Sequence, residues 1–133
     1  RPAWLDGVRR IPVEIGKRVW VFADGDLPPH PAGMAEPKAH EALMVTNAGS
    51  ETARLRITLL FEDAEPKKGL ALAVPPGRVK CFRMDQPIWG GDYVIPFGQY
   101  ALIVESDVPV VAVFGRLDRR HDMAYYPVAP YSQ

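Results

Sequence analysis

The sequence predicts an all-β domain: one β-sandwich of seven to eight short strands with little or no helix. Three observations carry that prediction. Apolar residues alternate with polar ones over short runs instead of recurring at helical spacing. Fourteen prolines in 133 residues, about twice the usual share, are spread along the chain and break long helices. Turn clusters such as Asn47-Ala48-Gly49-Ser50 and Pro75-Pro76-Gly77 separate the runs at the spacing of a sandwich.

Residues 1–15, with Trp4, Leu5 and the pair Arg9-Arg10, read as an arm that docks on the body or on a neighbour, and the domain as 16–133. The first strand is expected at 17–23, with Trp20 and Phe22 on one face and Val19, Val21 and Ala23 on the other. It breaks at Gly25 between Asp24 and Asp26, and Pro28-Pro29 then take the chain stiffly out of the sheet. The loop 24–38 is too rich in proline for a regular element. A second strand at 40–47 carries Leu43 and Val45 opposite Ala42 and Met44.

The clearest strand is 52–62, with Leu55, Ile57, Leu59 and Phe61 inward and Arg54, Arg56 and Thr58 outward. Leu70, Leu72 and Val74 mark the next. A short strand at 78–84 contains Cys81, read as a small buried apolar residue. Residues 85–98 form an aromatic loop. The runs 100–105 and 108–118 form a last long pair turning at Ser106-Asp107, and the tail holds one more short strand.

Three of these strands, 17–23, 40–47 and 108–117, are apolar on both faces. Val110, Ala112 and Phe114 oppose Val111, Val113 and Leu117. A sandwich strand shows one face to water and should be polar there, so a second copy is expected to cover these faces.

Composition excludes several functions. Sixteen basic residues balance sixteen acidic ones, leaving no overall field for nucleic acid or an anionic membrane. The lone Cys81 precludes a disulfide within the chain and fits a cytoplasmic setting. The longest apolar runs fall well short of the ~20 residues of a spanning helix. His30, His40 and His121 lack metal-ligand spacing, no cofactor motif is present, and the serines sit in no nucleophile-elbow pattern, so neither a metal site nor an enzyme is expected.

Candidate binding residues remain. Asp24, Asp26 and His30 stand on the stiff loop, and His40-Glu41 opens the strand that follows. Arg116 and Asp118 can anchor a polar ligand or a partner's backbone through charge-assisted bonds, or form a structural ion pair. Trp89, with Tyr93 in a Gly-Gly loop, can serve as a stacking platform or fill an edge of the core.

Taken in order, Trp20-x-Phe22-Ala23-Asp24-Gly25-x-Leu27-Pro28-Pro29, His40-Glu41, Asn47-Ala48-Gly49, Val74-Pro75, Ser106-x-Val108-Pro109-Val110-Val111 and Arg116-Leu117-Asp118 resemble the soluble sensory rhodopsin transducer family from about Gly16 onward. The arm and the loop Ile95-Pro96-Phe97-Gly98-Gln99 depart from the family pattern. The resemblance implies a small cytoplasmic sandwich of jelly-roll type that assembles as a homotetramer. It also implies a non-enzymatic adaptor receiving a signal from the cytoplasmic face of a seven-helix photoreceptor. The alternative it leaves is a module binding a carbohydrate or another small molecule. Receptor rims are rich in Lys and Arg, so the docking surface should be acidic, with Asp24, Asp26, Glu36, Glu41, Glu62, Asp63 and Glu65 available.

Overall fold

Aromatic and β-branched side chains at alternate positions start the first of eight antiparallel strands in a computed structural model that describes residues 14–30, 33–36, 38–120 and 122–133. The strands are β1 (Lys17–Leu27), β2 (His40–Asn47), β3 (Ala53–Phe61), β4 (Lys67–Val74), β5 (Arg78–Arg83), β6 (Gly98–Asp118), β7 (Ala124–Val128) and β8 (Pro130–Ser132). One layer runs β4-β3-β6-β1-β8. The other runs β5-β2-β6-β7, so β6 belongs to both. This is the all-β sandwich expected from the alternation. Almost all of the arm and His121 lie outside the described residues.

The inward positions of both layers meet in one core. Leu55, Ile57 and Leu59 of β3 and Leu70, Leu72 and Val74 of β4 face Leu43 and Val45 of β2. At its centre Phe22 stacks on Phe114 with centroids 5.5 Å apart, and Tyr100 meets Phe114 edge-on at 6.4 Å. The Trp20 indole donates to the Val110 carbonyl at 3.1 Å, so its polar edge is satisfied inside. Asn47 ends β2 inward. Its amide donates to Glu51 O and Val74 O, and its Oδ1 accepts from Gly49 N, which fixes the predicted turn.

The structure corrects the sequence reading at four places. The first strand does not break at Gly25 but runs to Leu27. Its register against β6 shifts between Phe22 and Gly25, so the irregularity is a bulge within the strand. Ser106-Asp107 is not a hairpin turn, because β6 is one strand of 21 residues. Its first half pairs with β1 and β3, and its second half with β2 and β7. Four residues, 106–109, bulge between the positions paired to Val19 and Lys17, and this kink carries the strand from one layer to the other. Neighbouring strands meet the kink's polar groups: the Arg54 backbone N donates to the Asp107 carboxylate, and Arg18 Nη1 to the Asp107 carbonyl.

Cys81 is exposed, since the outward positions of β5 are 79, 81 and 83. The tail supplies two strands, with β8 on the free edge of β1 and β7 on that of β6.

The outer face of the second layer carries the two-faced pattern. Register sets Thr46 between Val79 and Val111, and Met44 between Cys81 and Val113. Val79, Val111 and Val113 are 64%, 40% and 41% exposed. Tyr125 lies across Gly115 on the same face. Of the strand positions pointing this way, Arg83 carries the only full charge among the described residues, and Asp85 binds it bidentately.

Candidate functional site

Alternation along β2 puts Glu41 on the same inward face as Leu43 and Val45, and the side chain is fully buried. A carboxylate there needs donors, and three residues supply them. Asp26 N lies 3.0 and 3.1 Å from its two oxygens, the Tyr100 hydroxyl donates at 2.8 Å and Arg116 Nε at 2.9 Å. Arg116 projects inward from β6. Its Nη2 donates to the Asp24 carbonyl at 2.6 Å and reaches the Asp24 carboxylate at 3.4 Å, while Nη1 donates to the Tyr126 hydroxyl at 3.2 Å.

The reason for this cluster lies in the backbone of β1. β8 pairs with β1 only at residues 20–22. Beyond that point no strand adjoins this side of β1 among the described residues. The Asp24 carbonyl and the Asp26 amide, which a neighbouring strand would otherwise satisfy, are taken by Arg116 and Glu41. Two side chains thus stand in for a missing strand and clamp the two layers together at this end.

Burial pushes the Glu41 carboxyl above its usual range, and the donors around it pull back toward the ionised form. Burial and the neighbouring Glu41 carboxylate raise the Tyr100 phenol, which therefore stays a donor. Burial opposes the Arg116 charge, but its bonds to Tyr126 and Glu41 outweigh that and hold it protonated. Gln99 and Arg116 hold Asp24 below the ordinary value. Arg120 grips Asp118 through both side-chain and backbone bonds, bringing its pKa to about 2.

Next to the clamp opens a cavity of about 720 Å³. Leu27, Pro28, Pro29, Phe97 and Leu117 form its apolar walls, and Asp26, Arg116, Asp118, Arg119 and Arg120 line it with polar groups. Pro28 and Pro29, read from sequence as a rigid exit, bring no backbone donor to the wall they form. Phe97 stands at the cavity 59% exposed, its ring centroid 5.9 Å from that of His30.

Acidic loops gather at the same end. Leu27 pairs with Gly98 and Phe61 with Tyr100, so the loop carrying Glu62, Asp63 and Glu65 leaves the sandwich on the side where Asp24 and Asp26 lie. The loop carrying Asp85 and Asp92 leads into β6 there too.

The structure brings together Asp24, Asp26, Glu41 and Arg116, with Asp118 on the adjoining cavity wall. The other candidates lie outside the clamp, although His30 borders the cavity against Phe97 and Ala39. His30 contacts the Ala39 carbonyl and lies 3.7 Å from Asp85, and His40 contacts the Lys38 carbonyl. Trp89 does not line the cavity; it packs on the core edge, and its indole N–H finds no acceptor among the described residues. Those residues include no cluster of three or more potential metal ligands. Glu41 is wholly enclosed, so it belongs to the framework and not to an available acidic surface.

Tyr100, Tyr126, Phe97 and Arg120 were not singled out from sequence. The one signal pointing to the network was a carboxylate at an inward position of an otherwise apolar face.

Comparison with known proteins places the chain and its fold among relatives. The family model described as Anabaena sensory rhodopsin transducer matches residues 15–131. The crystal structure of Thermotoga maritima 1070 is 32% identical with a TM-score of 0.75, over 90% of this chain and 97% of that one. The structure of the Anabaena sensory rhodopsin transducer is 34% identical with a TM-score of 0.70, over 81% and 94%. No curated protein sequence matches significantly.

Proposed function

The chain belongs to the Anabaena sensory rhodopsin transducer family, and from that premise we propose that it is a non-catalytic signalling adaptor that docks on the cytoplasmic face of a sensory rhodopsin. The observation that carries the docking mode is the collection of Asp24, Asp26, Glu62, Asp63 and Glu65 at one end of a chain whose total charge is zero. Cytoplasmic rims of membrane receptors carry an excess of Lys and Arg, so such an end is complementary to them. The clamp supports this role by holding β1 rigidly, so that Asp24 and Asp26 are presented in fixed positions. The apolar outer face of the second layer supports self-association, and several copies would multiply weak contacts with the receptor.

The test is binding to a sensory rhodopsin in nanodiscs across a salt series. The adaptor reading expects affinity to fall steadily up to about 0.5 M salt, where charges are screened beyond ~4 Å. It also expects the Glu62→Gln, Asp63→Asn, Glu65→Gln triple variant to bind several-fold more weakly with its fold intact. Affinity indifferent to both salt and these substitutions would overturn it.

A further inference from the structure

We infer that the cavity beside the clamp is an anchor for a linear peptide segment of the partner, one in which a bulky apolar side chain is flanked by Lys or Arg. The inference rests on the adaptor reading and adds to it the place and chemistry of the contact.

Three observations argue for this occupant. Leu27, Pro28, Pro29, Phe97 and Leu117 give the cavity apolar walls, and its volume of about 720 Å³ lies in the range of ligand-holding pockets, with room for more than one side chain. Phe97 holds a phenyl ring 59% exposed at this cavity, although the core lies alongside. An exposed aromatic beside an apolar hollow is the composition of an interface anchor.

The polar groups then set the charge of what enters. Arg116 is committed to Glu41 and Asp24, and Arg120 is bound bidentately to Asp118, so these pairs are already neutralised. Asp26 differs. Its amide is held by Glu41, but its carboxylate is exposed and accepts no hydrogen bond among the described residues. Arg119 lines the cavity as well, so the four carboxylates of Asp24, Asp26, Glu41 and Asp118 stand against the three guanidiniums of Arg116, Arg119 and Arg120; the balance is negative, and a cation next to the buried group matches it. An extended segment suits the geometry, because an apolar residue in the cavity leaves its neighbours in sequence at the rim.

Three fluorescein-labelled synthetic octapeptides test this by anisotropy against the full chain. One carries Trp and Leu flanked by Lys and Arg; a second keeps Trp and Leu but has Glu flanks; a third keeps the basic flanks around Ser. The first should bind at least about tenfold more tightly than either control. Phe97→Ser should remove about tenfold of that affinity, and Asp26→Asn a smaller factor, each with an unchanged thermal midpoint. Both positions are exposed, so neither substitution empties the core.

Equal binding of the serine control, preference for the acidic peptide, or an unaffected Phe97→Ser variant would each overturn the anchor. Running the same variants on rhodopsin nanodiscs separates the two readings. Salt-sensitive nanodisc binding that ignores Phe97→Ser leaves the adaptor standing and removes the anchor. Peptide binding without any nanodisc binding does the reverse.

Discussion

At Glu41 a single side chain ties three strands of the fold, its own β2, β1 and both halves of β6. Its partners on β6 lie 59 and 75 residues further along the chain, so nothing local in the sequence announces them. What was legible is the periodicity: Glu41 falls on the face of Leu43 and Val45, where an acidic residue requires donors. Read by residue type alone, it belongs among the docking carboxylates; read by register, it belongs inside.

Removing its main counter-charge has a calculable sign. Arg116 is 11% exposed, and loss of one partner of a buried pair costs about 3–5 kcal/mol. In Arg116→Met the Glu41 carboxyl loses its cation, and its folded pKa climbs further above its ordinary value of 4.5. A folded pKa above the unfolded one means that the native state binds more protons, so stability declines as pH rises from about 4.5 through the folded value. The variant's deficit in urea unfolding should therefore be small near pH 4.5 and grow toward pH 7. A deficit independent of pH would show that Glu41 is not left as an unpaired ion.

Among the elements, β1 and β6 show where local signals lose to pairing. Gly25 between two aspartates and Ser106-Asp107 before a proline both carry turn chemistry, and the sequence reading ended strands at each. In the fold both become bulges, because each strand keeps a partner on either side of the irregularity. The strands with uninterrupted alternation, β2 and β3, lie within a residue of their expected ends.

Gly25 is needed for a reason unrelated to turning. A Cβ there would sit 2.7 Å from the ring of Tyr100, which is buried and anchored through its hydroxyl to Glu41. Gly25→Ala should thus destabilise by about 1–3 kcal/mol, the usual cost of overpacking. Combining it with Tyr100→Leu should cost less than the sum of the two single changes, because the clash goes with the ring. Strict additivity in urea unfolding would mean that the ring does not hold this position.

The molecule as a whole has two unlike surfaces, and both follow from topology. The acidic end exists because β1 and β3 finish where β6 starts. The apolar face exists because β2, β5 and β6 lie side by side with Met44, Val79, Cys81, Val111 and Val113 outward. The sequence disclosed the second of these, since Val110 to Val113 reads as apolar in both registers; it placed Cys81 on the wrong side because a short strand gives little phase information.

Valines left in water on β5 and β6, with Met44 of β2 between them, are an association hazard unless a partner covers them, and a surface presented identically by every copy is most simply covered by another copy. If that is the occupant, charge placed in the middle of the face must expel it, while a fold whose core lies on the opposite side of the sheet survives. Val111→Lys combined with Val113→Lys should therefore convert an oligomer into a protomer in sedimentation velocity at micromolar concentration, with its far-ultraviolet dichroism preserved. Receptor binding should weaken more than the loss of any single contact explains, since avidity disappears with the assembly. A wild-type chain already sedimenting as one protomer would leave the face without its proposed cover, and the adaptor would then have to bind its receptor as a single copy.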